Sequence, residues 1–337
     1  MELQGQKQGL IVSVSPHIGS EETVPRIMWT VSISLLPALA MGVYYFGPKA
    51  LYVTALCIIG SIVSECFVQK VAGKERTIAD GSAFLTGLLL GLNMPSTVPF
   101  YIPLVASFVS VGIAKQLFGG LGYNIFNPAL IGRAFALITW TRAMTTWEIP
   151  DAAFTFTSIN AKTTATPLGI LKEEGMGKLL EVFGDKLSLY KELLIGHRAG
   201  SLGETSMIAI LIGAAFLVYR RYISLRIPLS FLATVAAGAW IFGGKGGLFT
   251  GDPIVHLLSG GLMLGAFYMA TDYVTCPTVW RGQVLFGIGC GFLTILIRLK
   301  AGYPEGVMFA ILIMNCFAPL IDRSCRTTVF GAKKAKK

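Results

Sequence analysis

Asp80-Gly81-Ser82-Ala83-Phe84-Leu85-Thr86-Gly87-Leu88-Leu89-Leu90-Gly91-Leu92-Asn93-Met94-Pro95 is the stretch on which the fold turns. Residues 81–94 carry no charge, yet they stop at Asn-Met-Pro before reaching the ~20 residues that a bilayer-crossing helix needs. A second short segment, 125–140, opens on Asn124-Ile125-Phe126-Asn127-Pro128-Ala129-Leu130. The other half of the chain answers both. Gly261-Leu262-Met263-Leu264-Gly265 matches Gly87-Leu88-Leu89-Leu90-Gly91, and Asn315-Cys316-Phe317-Ala318-Pro319-Leu320-Ile321 resembles Asn124–Leu130. Short, interrupted apolar segments in corresponding places of two halves point to a site near the middle of a membrane.

Working outward, ten apolar spans can be drawn: 27–46, 51–71, 81–94, 100–118, 125–140, 205–219, 227–243, 255–271, 283–298 and 304–321. The expected fold is an all-α membrane protein of about ten transmembrane helices, arranged as two inverted five-helix repeats with short broken helices. Five spans per half is an odd number, so the second half enters from the opposite side. The expected divisions are an N-terminal segment 1–26, a first repeat 27–140, a loop 141–204, a second repeat 205–321 and a basic tail 322–337.

Composition agrees. Hydrophobic residues make up 53% of the 337 and charged residues 14%, against about 25% charge in soluble domains. The net charge of +10 does not read as nucleic-acid binding, because the Lys and Arg residues flank apolar spans, where the positive-inside rule acts. With both termini in the cytoplasm, the termini and the 70–80, 114–124, 220–226 and 272–283 connections carry sixteen Lys/Arg, and the short outside loops carry four: Lys49, Lys245, Arg298 and Lys300. Segment 141–204 then lies outside. The first 25 residues hold no central apolar run, so the first span is expected to direct insertion. Six cysteines without a C-x-x-C pair, and three scattered histidines, give no metal-ligand spacing.

Several polar residues stand out against this background. Asn124 and Asn127 open the fifth span ahead of Pro128; they suit either a helix cap or a ligand that presents both donors and acceptors, such as the edge of a flavin ring. Arg133 lies two turns inside the same span, where a cation is costly and usually paired or functional. Glu65 stands near the end of span two, within reach of the interface. Asp80 and Asp272 fall at the start of span three and the end of span eight, as caps of short helices or as a polar cluster on a cofactor or coupling-ion path. Residues 160–168 form a Thr-rich loop, and 169–195 mix Leu/Ile with Lys/Glu at the spacing of a surface helix or two on the membrane face.

Taken together, Ser15-Pro16-His17-Ile18, Asp80-Gly81-Ser82-Ala83 through Asn93-Met94-Pro95, Phe118-Gly119-Gly120 through Asn127-Pro128-Ala129, Thr164-Ala165-Thr166-Pro167-Leu168 and Met269-Ala270-Thr271-Asp272 resemble the RnfD/NqrB family of membrane subunits, nearly end to end. The resemblance is closer to the RnfD branch, which lacks a long N-terminal extension. It implies a component of a bacterial inner-membrane complex, the Rnf complex, with the A, B, C, E and G subunits as partners. That complex moves electrons between ferredoxin and NAD and couples them to Na⁺ or H⁺ transport. The resemblance also implies two cofactors. One is FMN joined through its phosphate to the hydroxyl of Thr166, in a motif that reads Thr163-Thr164-Ala165-Thr166 here where the family usually has Gly at the second place, and with Asn160 where an Asp often stands. The other is riboflavin held without a covalent bond near Asn124 and Asn127, with Asp80 and Asp272 as further candidates. A flavin exchanges one or two electrons, so it joins one-electron to two-electron carriers.

Two other readings stay open at this level. One is the quinone-reductase branch of the same family. The other is a small-solute channel, since inverted five-helix repeats also occur in urea-type channels and fold alone does not fix function. The chain contains no dinucleotide fingerprint and no iron–sulfur pattern, so NAD and ferredoxin are left to partner subunits.

Overall fold

The computed structural model describes residues 22–149, 165–196, 198–244 and 247–325. Ser15–Ile18, Asn160, Thr163, Thr164, His197, Lys245 and the basic tail from Arg326 lie outside the described residues. Every described element is helical, and no β-strand occurs among the described residues.

The first half opens with α1 (Val24–Ser34) and α2 (Leu36–Phe46), broken at Leu35 because Pro37 offers no N–H to the preceding turn. Next come α3 (Pro48–Val71), α4 (Ser82–Leu92) and α5 (Tyr101–Ser107), the last running on as a π-helix over Phe108–Gln116. Then follow α6 (Pro128–Thr139) and the single turn α7 (Thr141–Met144). Three short helices, α8 (Pro167–Glu173), α9 (Met176–Phe183) and α10 (Lys186–Ile195), lead to α11 (Met207–Tyr219) and α12 (Arg226–Phe242). The span expected over 255–271 is in three pieces: α13 (Pro253–Leu258), α14 (Leu262–Leu264) and a π-helix over Gly265–Met269. Last are α15 (Trp280–Lys300) and α16 (Val307–Ser324).

Val24–Phe46, Pro48–Val71, Trp280–Lys300 and Val307–Ser324 are long and apolar enough to cross a membrane. Their outer faces are those of a lipid-facing protein. On α3, Ile59, Val63 and Phe67 recur every four residues and are 55–59% exposed; on α15, Leu285, Ile288, Phe292 and Leu296 recur every three or four residues and are 43–60% exposed. Water would not tolerate apolar stripes of this extent. The other apolar helices are shorter. At 1.5 Å per residue, α4 and α6 reach only about 17 Å, roughly half a hydrocarbon core.

Glycines allow the closest helix approaches. A Cβ on Gly87 of α4 would stand 2.6 Å from the Ile58 Cα of α3, and one on Gly91 would stand 2.9 Å from the Thr54 Cα. On α15, Cβ atoms at Gly287 and Gly291 would press on the α12 backbone at Ile227 and Phe231. In lipid, where apolar burial drives little association, such backbone contact supplies much of the packing attraction. The buried core runs through both halves, from Leu35, Val53 and Leu90 to Phe231, Phe286 and Ile311.

The region expected to hold a surface helix or two holds three, and they are not a loose coat. Leu179, Leu189 and Leu193 form a small core of their own with Val255 of α13. The Tyr190 hydroxyl donates to Asp252 at 2.6 Å, and Asp252 caps α13 by accepting from the Ile254 N–H at 3.0 Å. Partial burial and the adjacent Asp252 push the Tyr190 phenol up to about 12.

Gly87→Ala is expected to cost about 1–3 kcal/mol, the usual penalty of forcing a methyl into filled space. It would show as a lower thermal midpoint of the detergent-solubilised protein. Gly177→Ala, on α9 where nothing lies within 4 Å, should leave the midpoint unchanged or raise it.

Candidate functional site

Asn127 is the N-cap of α6. Its Oδ1 accepts from the Ala129 and Leu130 N–H groups at 3.1 and 3.4 Å, while its Nδ2 donates across the protein to the Met269 carbonyl at 3.2 Å. Its own N–H reaches Asn315 on α16 at 3.1 Å, with that amide turned to accept and to donate to the Ile311 carbonyl. The two segments that resemble each other in sequence therefore meet. Asn127 acts as a cap and as a tie between halves. Asn124 is nearly buried and donates to the Phe126 carbonyl at 3.1 Å, but its Oδ1 has no partner among the described residues. A buried acceptor left unpaired is costly and suits a ligand that brings a donor.

Both amides line a cavity of about 90 Å³ between α1, α4, the π-helix after α5, the start of α6 and the 268–274 turn. Asp272 lines it too. Its Oδ2 accepts from the Thr275 hydroxyl at 3.2 Å and its Oδ1 from the Val274 N–H at 3.4 Å. Burial raises the Asp272 carboxyl above its ordinary range, against those two hydrogen bonds. Asp80 does not line the cavity. Its Oδ1 accepts from the Ser82 N–H at 2.8 Å and hydroxyl at 2.6 Å, so it caps α4 from the flank, while Gly81 turns the chain with φ +77°.

Lys115 reaches the cavity instead. It donates to Ser82 Oγ and to Glu65, each at 2.6 Å, and both members of the ion pair are fully buried. Three sequence expectations are corrected here. Glu65 does not reach an interface, because its ammonium partner lies inside the bundle. Lys115, a loop charge by its place in the sequence, sits in the π-helix at the cavity wall. Arg298 is likewise no loop charge: it is buried on α15 and donates to the His256 and Ser259 carbonyls, at 2.6 and 3.0 Å.

A second cavity, of about 170 Å³, is lined by Thr166, Arg133, Leu137, Trp147, Tyr303 and Glu305 among others. Thr166 is the N-cap of α8; its Oγ1 accepts from the Gly169 N–H at 3.2 Å, and the residue is nearly buried. Aromatic and aliphatic walls, with two unpaired polar atoms at Arg133 Nε and Glu305 Oε1, fit an amphipathic ring. One helix joins the two cavities: from Asn127 to Arg133 along α6 is about 9 Å.

Residues 11–331 match the family described as NQR2, RnfD, RnfE. The chain belongs to that family. It is 50% identical over 333 residues to the D subunit of the proton-translocating ferredoxin:NAD(+) oxidoreductase complex of Clostridium ljungdahlii, covering 99% of each chain. It is 44% identical over 332 residues, and 97% of each chain, to the D subunit of the Na(+)-translocating ferredoxin:NAD(+) oxidoreductase complex of Acetobacterium woodii. The D subunit of the ion-translocating oxidoreductase complex of Stutzerimonas stutzeri shares 38% over 327 residues, 92% of each chain.

For this NQR2/RnfD/RnfE-family chain, sequence reasoning missed Lys115, Tyr268, Ser82 and Glu305 as cavity residues. The one available signal was Lys115 standing directly after the apolar run that ends at Ala114. Lys115→Met is expected to cost about 3–5 kcal/mol by removing the cation from the buried Glu65 carboxylate, which keeps only the Gln116 amide as donor among the described residues. The Glu65→Met/Lys115→Met pair should recover most of that loss, both read as thermal midpoints in detergent.

Proposed function

We propose that this chain is the D subunit of an Rnf-type complex in a bacterial inner membrane. It carries electrons between ferredoxin and NAD, whose chemistry is handled by the A, B, C, E and G partner subunits, and the electron flow is coupled to ion transport. The observation that carries this reading is similarity over 99% of both chains to a protein of that name. The proton-translocating and Na(+)-translocating relatives differ in their ion, so the choice of ion follows from finer features than the family.

In this reading ten spans form two oppositely oriented five-helix halves, with both termini cytoplasmic and segment 141–204 outside. Thr166 holds FMN through a phosphoester, and the Asn124–Asn127–Asp272 cavity holds riboflavin. The flavins would supply one- and two-electron exchange. The chain's own residues do the positioning. Thr166 is fixed at the head of α8, so a group on its oxygen is held at the mouth of the Arg133 cavity. Asn124 offers an unpaired acceptor, and Asp272, its carboxyl raised by burial, offers a group able to hold a proton. Closely spaced cavities favour electron passage, because transfer rates fall exponentially with distance.

Chain produced with a flavin transferase is expected to give a fluorescent band in denaturing electrophoresis that persists in Thr166→Ser and vanishes in Thr166→Ala. A wild-type chain with no band and no mass increment would refute the anchor. Asn124→Leu should lose the flavin released by acid while keeping the band.

A further inference from the structure

Three buried arginines cluster around the break between α13 and α14, and they differ in what they bind. Arg198 donates to the Leu258 and Glu204 carbonyls, and Arg298 to the His256 and Ser259 carbonyls. Both therefore satisfy the backbone of an interrupted helix. Arg133 hydrogen-bonds to no backbone group among the described residues. Its Nη1 donates to Asn93 Oδ1 at 2.8 Å and its Nη2 to Glu305, leaving Nε buried without a partner. Arg133 is 7% exposed and, with Glu305, lines the Thr166 cavity. Glu305 Oε1 is likewise buried and unpaired. One guanidinium, Arg133, and two carboxylates, Glu305 with its buried Oε1 and the more exposed Glu173, thus stand in the wall of the cavity beside Thr166.

We propose that Arg133 and Glu305 set the reduction potential of the ring anchored at Thr166, the guanidinium favouring its reduced form and the carboxylate opposing it. This rests on the FMN assignment above. An electron delivered to such a ring by a low-potential donor would add one negative charge there until a proton followed. In a poorly solvated cavity that charge is stabilised by a nearby cation and destabilised by an anion. No bond to Arg133 forms or breaks, and the guanidinium keeps its proton throughout. Asn93 is the positioning residue: through Arg133 it holds the cation at the wall. Arginine is suited to the role because it stays charged when buried, where a lysine readily loses its proton.

The test is a redox titration of the full chain with dithionite and mediators, followed by visible absorbance. The signal absent from Thr166→Ala identifies the anchored ring. Arg133→Gln is expected to lower the equilibrium constant for one-electron reduction at least tenfold, a fall of about 59 mV. Glu305→Gln should raise it, and Arg133→Lys should fall between wild type and Arg133→Gln. Opposite signs from two neighbours are not what general loosening of the fold produces. If Arg133→Gln yields no folded protein, Glu305→Gln alone decides, since only the proposal requires an upward shift. A fluorescent band with unmoved potentials, or shifts of one sign in both variants, overturns this inference and leaves the anchor standing. A wild type with no band removes both.

Discussion

An interrupted helix in an apolar surrounding leaves amide and carbonyl groups without partners, and each such group costs several kcal/mol. The rest of this structure is arranged around meeting that demand. The end of α4 is closed by Asn93, whose side chain returns to the Leu89 carbonyl, and by Met94, whose carbonyl accepts from the Leu202 N–H. The start of α6 is closed by Asn127, and the break after α13 is closed by Arg198 and Arg298. These closures tie the two halves together at their centre, through Asn127 to Met269 and Asn127 to Asn315. Short helices do not merely fail to span; their ends create a polar interior.

That polar interior is where both cavities lie. The Asn124 cavity is walled by the first turn of α6, and the Thr166 cavity by its middle. A single rigid helix sets the separation, so the geometry between the two sites does not depend on loop conformation. The charged pairs differ in role. Glu65–Lys115 is fully enclosed, and its worth lies in the cost of breaking it rather than in net stabilisation. Arg133–Glu305 opens onto a cavity and has unpaired atoms to offer.

The α8–α10 segment shows how a region outside the long apolar helices becomes ordered. Its leucines bury against Val255, and Lys172 donates to the Ala301 carbonyl. These contacts fix α8, and with it the Thr166 hydroxyl at its N-cap. A Thr-rich loop by composition is thus anchored at one end by a packed helix.

The sequence by itself determined the membrane class and the short apolar segments where short helices stand. Charge-free runs that stop early can be read without a structure, because a polar group exposed to the hydrocarbon core is costly whatever its tertiary neighbours. Asn124, Asn127 and Asp272 were legible as residues at segment ends, where caps and ligands concentrate; Thr166 stood out only through the family resemblance, its surroundings reading by composition as a Thr-rich loop. Asp80 was legible as well, but its carboxylate spends itself on Ser82 rather than facing a cavity. Only the tertiary structure decided which ends meet. Lys115 and Glu65 are separated by fifty residues, and Arg133 and Glu305 by 172. Nothing local in the chain encodes such partners, since a buried charge is placed by the group that neutralises it and that group arrives from a different helix.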